Sequence, residues 1–323
     1  MGGKKRVLVF GASGTIGRAV ASQLAADGYE TVCFVRDGSG GLPELAPASL
    51  ITGDVTDPAS VSSAFAGASY DAVISCLASR TGAPRDAQAI DYQANLNVLE
   101  VAKAAGVRHF ILLSAICVQR PLLAFQHAKL AFERELTTSG LTWSIVRPTA
   151  FFKSLSGQVE RVRDGKPFML FGDGELTRCK PISDADLARF ITGCIDDRTR
   201  HNRVLPIGGP GPAISPHEQG EMLFELTGKE PCYRSVPVSM FSAAARLLSL
   251  GAPFSSWFAE KAEYARIARY YATESMLVFN AETGQYEAEA TPEFGRDSLR
   301  DHYAELLGLN SPATEQADLG NAP

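Results

Sequence analysis

The chain has 323 residues, of which 45% are hydrophobic and 21% charged, with a formal net charge of −5. Charges of both signs are intermixed and no lysine or arginine run stands out. That argues against nucleic acid as a partner, because phosphate neutralisation requires a basic face. The length exceeds one typical core, so two domains, or one domain carrying a lobe, are expected.

The first element is a buried strand, Arg6–Phe10, followed by Gly11-Ala12-Ser13-Gly14-Thr15-Ile16-Gly17 and a helix over 16–27. Glycines at Gly-x-x-Gly-x-x-Gly spacing let the backbone turn tightly and approach a pyrophosphate. The free N–H groups and dipole of the following helix attract the negative charge. A strand before and an amphipathic helix after favour a dinucleotide site over an ordinary turn. Gly11, Ser13, Gly14, Thr15, Ile16 and Gly17 are its candidate cradle. A second strand, 31–35, ends at Arg36-Asp37. An acidic residue there selects NAD, whereas an arginine accommodates the extra phosphate of NADP. Arg36 comes first, so NADPH is the expected cofactor, with Asp37 the argument for NADH.

A third strand, Ser49–Thr52, leads into Gly53-Asp54-Val55. Asp54 is placed to accept from an adenine amino group and Val55 to pack on the ring. Asp57, just before Pro58, is the expected cap of a helix over 58–66. The fourth strand, 72–76, opens onto Cys76-Leu77-Ala78, small residues where a cofactor needs close backbone approach. A helix over 91–105 precedes the strand His109–Leu113, which ends at Ser114. The next helix, 123–139, carries Phe125-Gln126-His127-Ala128-Lys129. Serine after the fifth strand, then Tyr-x-x-x-Lys, is the layout of short-chain dehydrogenases/reductases, and here phenylalanine stands in the tyrosine's place. A phenyl ring donates no proton, which disfavours carbonyl–alcohol chemistry. Ser114 and Lys129 remain as candidates for the nicotinamide end, and His127 as the histidine nearest the expected cleft. The sixth strand, 142–147, runs into a turn whose Pro148, Thr149 and Phe151 complete the cofactor candidates.

Alternating strands and helices imply an α/β fold: a Rossmann-type doubly wound parallel sheet with a smaller, interleaved substrate-binding lobe. Residues 1–150 read as the NADP-binding domain, with a returning strand near 203–208 marked as an edge by Pro206. Residues 151–309 read mainly as the substrate lobe, with helices over 215–227 and 241–250. Residues 310–323, small and polar, read as a disordered tail. The six cysteines are scattered, with no C-x-x-C pair and no histidine in ligand spacing, so neither a disulfide frame nor a protein metal site is expected. The most apolar stretch, 238–258, is interrupted by Arg246, Gly251 and Pro253 and falls short of a membrane span. It is expected to pack as a helix on the second lobe, with peripheral membrane contact as the second reading.

Both lobes hold a further set of stretches: Ser75-Cys76-Leu77-Ala78-Ser79-Arg80, Leu113-Ser114-Ala115-Ile116-Cys117-Val118-Gln119, Val146-Arg147-Pro148-Thr149-Ala150-Phe151-Phe152-Lys153-Ser154-Leu155, Lys180-Pro181-Ile182-Ser183, Leu205-Pro206-Ile207-Gly208-Gly209-Pro210-Gly211 and Arg269-Tyr270-Tyr271-Ala272-Thr273-Glu274-Ser275-Met276-Leu277. On these stretches the chain resembles the divinyl (proto)chlorophyllide 8-vinyl reductases, NADPH-dependent atypical members of the short-chain superfamily. The resemblance implies an oxidoreductase of (bacterio)chlorophyll biosynthesis, serving photosynthesis. Such an enzyme reduces the 8-vinyl group of 3,8-divinyl chlorophyllide a, or of divinyl protochlorophyllide, to ethyl. The tetrapyrrole brings its own magnesium. No alcohol forms, so no tyrosine acid is needed. Hydride adds to the vinyl terminus and a proton to the inner carbon, with Lys129, Cys117 and Tyr270 or Tyr271 as candidate donors. Phe151, Phe152, Phe168, Phe171, Trp257, Tyr270 and Tyr271 are candidates for a flat cleft, set against plain core packing. No transit peptide precedes the first strand. A bacterial cytoplasmic enzyme, at most loosely associated with a photosynthetic membrane, is therefore expected, with a processed chain as the alternative. Two alternatives stay open: an NADP(H)-sensing regulatory protein of the same fold, and a reductase of another conjugated alkene.

Overall fold

Near-continuous apolar runs make the central strands of a computed structural model, which describes residues 4–38, 41–253 and 255–309; the expected tail over 310–323 lies outside them. The strands are β1 (Arg6–Phe10), β2 (Glu30–Val35), β3 (Ser49–Thr52), β4 (Ala72–Ser75), β5 (His109–Leu113), β6 (Thr142–Pro148), β7 (Phe168–Phe171), β8 (Arg203–Ile207), β9 (Tyr233–Val236), β10 (Val278–Asn280) and β11 (Gln285–Glu287). The helices of the first half are α1 (Thr15–Ala26), α2 (Pro58–Ser63), α3 (Pro84–Asp86), α4 (Asn95–Ala104) and α5 (Ala124–Thr137). Those of the second half are α6 (Phe152–Leu155), α7 (Val159–Arg163), α8 (Asp184–Gly193), α9 (Pro216–Thr227), α10 (Ser239–Gly251), α11 (Ser256–Thr273) and α12 (Leu299–Leu306).

Seven strands pair in parallel in the order β3-β2-β1-β4-β5-β6-β8. This is the expected doubly wound sheet. Strand order reverses between β1 and β4, so a crevice opens beyond their carboxyl ends. Successive side chains of a strand point to opposite faces. Val7 and Val9 accordingly pack with Ile16, Val20 and Leu24 of α1 and Leu187 and Ile191 of α8. Leu8 and Phe10 pack on the other side with Val61, Val98, Leu99 and Phe132 from α2, α4 and α5. Covering on both faces is why the inner strands β1, β4 and β5 are mostly apolar. Asp57 caps α2 through the Ala59 and Ser60 N–H groups, as its place before Pro58 predicts.

The helix expected over 91–105 is more irregular. A π-helical segment, Ala87–Ala94, precedes α4 and runs straight into it. In the second half, β7 and β9 form a two-stranded parallel sheet beside a core of Phe152, Phe168, Leu223, Phe224 and Tyr303. A further cluster of Ile116, Cys117, Leu123, Tyr270 and Met276 joins α11 to the start of α5. Phe152, Phe168 and Tyr270 are therefore buried core residues. At the same junction Glu263 of α11, itself buried, accepts the Ala124 N–H at 3.0 Å. This satisfies a first-turn donor of α5, whose N-cap Leu123 has no polar side chain to do so. Thus the long helix of the second lobe holds the start of the helix that carries Lys129.

Candidate cofactor and active site

The crevice at the β1/β4 reversal is a cavity of about 720 Å³. Its floor is the β1–α1 turn: Gly11, Ser13, Gly14, Thr15, Ile16 and Gly17 all line it. Gly11 has φ +73°, and a Cβ there would stand 2.6 Å from the Cys76 carbonyl oxygen. A Cβ on Gly17 would overlap the Gly11 carbonyl. Only glycine at both positions lets the turn, the end of β4 and the first turn of α1 meet so closely. Gly14 is the N-cap of α1 and no side chain caps it. The helix therefore presents its first N–H groups and positive dipole end to the cavity, a fit for phosphate. From the second lobe, Lys153 also lines the cavity, and its Nζ donates to Thr15 Oγ1 at 2.9 Å. A cation held at the positive end of a helix is adverse by itself, and an anion between the two relieves it.

At the far end the lining is Phe34, Val35, Arg36, Asp54, Val55 and Thr56. Arg36 is exposed at the rim, and Asp37 is not part of the lining. The Thr56 backbone N–H and hydroxyl each reach Asp54 Oδ1 at 2.8 Å. These bonds, joined by the nearby Arg36 charge, hold the Asp54 carboxyl below the usual carboxylate range. The remaining wall is Cys76, Leu77, Ala78, Arg80, Asp86, Ile90, Leu113, Phe151 and Ser154. Glycine cradle, uncapped helix end and the cations Arg36, Arg80 and Lys153 suit a phosphorylated dinucleotide.

The other candidates lie outside this lining. Helix α5 buries a polar stripe of Gln126, Lys129 and Glu133 on one face. Gln126 Nε2 donates to the Cys117 carbonyl at 3.1 Å, and its Oε1 accepts the Leu122 and Leu123 N–H groups. Lys129 Nζ stands 2.9 Å from Asp91 Oδ1. Glu133 accepts from the Ser114 hydroxyl and pairs with Arg147. Ser114, expected beside the cofactor, thus spends its hydroxyl on Glu133. Thr149 donates to the Lys180 carbonyl, and Pro148 is buried at the end of β6. Tyr270 Oη donates to the Cys117 carbonyl at 2.8 Å, and burial pushes its phenol well above the ordinary range. Burial also raises the Cys117 thiol, against the opposing Lys129 charge. His127 faces solvent on the opposite side of α5 from this stripe. Tyr271 is 47% exposed.

Three residues escape a reading of the sequence alone: Lys153, Asp91 and Glu133. The latter two look like solvated positions on amphipathic helices; the 126-129-133 spacing, one face of a helix, was the available signal. Lys153 sits directly after the Phe151-Phe152 pair, and nothing local announces that it reaches back to α1.

Fold, cradle and rim cations define a dinucleotide-binding protein of the Rossmann class, and a family model described as NAD(P)H-binding matches residues 11–198. The chain is 46% identical over 316 residues to the divinyl chlorophyllide a 8-vinyl-reductase of Zea mays, spanning 93% of this chain and 79% of that one. It is 47% identical over 318 residues to the Arabidopsis thaliana protein of the same name, spanning 93% and 76%. The chain belongs to the divinyl chlorophyllide a 8-vinyl-reductase family. In fold it is similar to the NADPH-dependent quinone oxidoreductase of Escherichia coli, with TM-score 0.69 and 18% identity over 93% of this chain and 99% of that one. Both plant relatives are named as chloroplastic proteins. This overturns the expectation of a bacterial cytoplasmic enzyme, which rested on what precedes β1, and the start of a chain says nothing of compartment.

Proposed function

We propose that the protein reduces the 8-vinyl group of a divinyl chlorophyllide to ethyl with NADPH. One observation carries the reading beyond family identity: Phe125 stands where a tyrosine acid would protonate a carbonyl oxygen, while Lys129 remains, held by a buried carboxylate. Reduction of a carbon–carbon double bond makes no alkoxide, so this combination suits an alkene. The atoms balance as vinyl plus hydride plus one proton giving ethyl. Bound NADPH supplies the hydride. The conjugated macrocycle spreads the developing negative charge, and Lys129 supplies the proton to the inner carbon, directly or through water. Cys117 and Tyr270 are weaker donors, since burial raises both groups and the Tyr270 hydroxyl is engaged with a backbone carbonyl.

In this reading residues 1–150, together with β8, bind the cofactor, and residues 151–309 mainly bind the tetrapyrrole. Arg36 meets the 2′-phosphate, Asp54 and Val55 the adenine, and the glycine turn with Lys153 the pyrophosphate. Lys153→Ala then weakens NADPH and NADH alike, by roughly tenfold for one lost charge-assisted contact. Equilibrium titration with each cofactor checks this; a loss confined to NADPH would place Lys153 elsewhere.

No helix among the described residues is long and apolar enough to cross a membrane. The α10–α11 pair nonetheless exposes Met240, Leu247, Leu250 and Trp257. We assign that face to peripheral contact with a lipid surface, as suits a greasy substrate. Sedimentation with phospholipid vesicles is expected to carry the protein down, and the double variant Leu247→Ser, Leu250→Ser to leave it in solution. The reaction itself is tested by anaerobic incubation with 3,8-divinyl chlorophyllide a and NADPH. Substrate-dependent NADPH oxidation with a Soret shift supports the proposal.

A further inference from the structure

The side chain that holds Lys129 belongs to no motif of the sequence. Asp91 lies in the π-helical segment Ala87–Ala94 and is 1% exposed. Its Oδ1 takes the Lys129 ammonium at 2.9 Å and the Ser79 N–H at 3.3 Å. Its Oδ2 is buried and has no hydrogen-bond partner. Buried polar atoms are almost always partnered, so an orphaned carboxylate oxygen beside a cofactor cavity calls for an account.

The backbone around Asp91 is built to hold it. A π-helical turn bonds residue i to i+5, and such turns are frequent at functional sites. Asn95 Nδ2 donates to the Ile90 and Asp91 carbonyls at 3.1 and 3.2 Å. The Asn95 side-chain oxygen accepts from the Ser75 hydroxyl at the end of β4. The segment is thereby pinned to the strand whose continuation, Cys76-Leu77-Ala78, walls the cavity. Ile90, the neighbour of Asp91, lines that cavity.

We propose that Asp91 is a positioning residue for Lys129: as its buried ion-pair partner it holds the ammonium in place and so aims its donors at the nicotinamide end of the cavity. A lysine on four rotatable carbons is otherwise free to sample many positions. The carboxylate, locked to β4 through Asn95 and Ser75, removes that freedom. The proposal rests on the reading of Lys129 given above.

A double-mutant cycle tests it, with Asp91→Asn, Lys129→Met and the pair, each read by NADPH titration, kcat, substrate KM and thermal midpoint. Asp91→Asn alone is expected to raise the NADPH Kd and lower kcat, each by roughly tenfold, with substrate KM nearly unchanged. Asp91→Glu recovers part of both losses. In the Lys129→Met background Asp91→Asn changes neither Kd nor kcat further, and it raises the thermal midpoint by removing a stranded charge. Losses that add in the double variant would mean that Asp91 acts independently of Lys129, overturning the proposal. Wild-type Kd and kcat in Asp91→Asn would overturn it equally. If Lys129→Met itself turns over normally, the proton role of Lys129 falls, and the Kd cycle still decides whether Asp91 positions it.

Discussion

Lys129→Met lowers kcat by on the order of 10²–10³-fold, the range for removing a general acid or a key charged donor from an active site. The substitution keeps the length and apolar stem of the side chain, so α5 retains its packing against the sheet. It also strands Asp91. Breaking a buried ion pair by removing one partner costs roughly 3–5 kcal/mol, because the remaining charge is left unpaired. The Lys129→Met protein is therefore less stable than wild type as well as less active, and these two effects must be separated. Combining Lys129→Met with Asp91→Leu restores apolar burial and most of the stability, and leaves turnover low. Recovery of turnover together with stability would mean that Lys129 is structural. Single-turnover measurement with enzyme in excess separates the chemical step from weakened cofactor binding.

Arg36→Ala raises the NADPH Kd by roughly 10- to 100-fold and leaves NADH binding within about twofold. The two cofactors differ at the adenosine ribose by a phosphate, and an arginine after the second strand is the residue that accommodates it. A guanidinium pairs with phosphate through charge-assisted bonds, and its loss uncovers no apolar surface because Arg36 is exposed at the rim. Lys153→Ala provides the contrast, since a pyrophosphate contact is shared by both cofactors. Equal losses of NADPH and NADH in Arg36→Ala would remove the arginine from selectivity. Ionic strength must be held fixed in these titrations, as screening weakens an exposed contact of this kind.

Strands β1, β2, β4 and β5 were legible because a parallel strand buried on both faces reads as an uninterrupted apolar run; β3 is an exposed edge strand. The glycine turn was legible because close backbone approach leaves glycine as the only residue that fits. Helix α11 was not. Its sequence places charges every few residues and buries small side chains, Ala262 and Ala272, beside Tyr270, so no stripe of large apolar residues marks it. The π-helical segment escaped because its wider turn depends on backbone bonding and on the Asn95 side chain, neither of which has a local signature. Of the aromatic candidates, Phe152 and Phe168 pack in a core cluster, the plain packing set against a cleft for them from the start, as large apolar residues mostly do. The polar interior of α5 was only half visible. Lys129 stood out by its place after Phe125, whereas Asp91 and Glu133 become meaningful through partners that are distant in sequence.

Hydride from NADPH is proposed to reach a single vinyl group, and isotope placement reads out that transfer. The protein is incubated anaerobically with 3,8-divinyl chlorophyllide a and NADPH carrying deuterium at the transferred position, and the product is read by mass and NMR. A gain of two hydrogens confined to position 8, with the single deuterium on the terminal carbon of the new ethyl group, is the predicted result. Tight NADPH binding with unchanged pigment, or hydrogen added at any other position, would contradict the account.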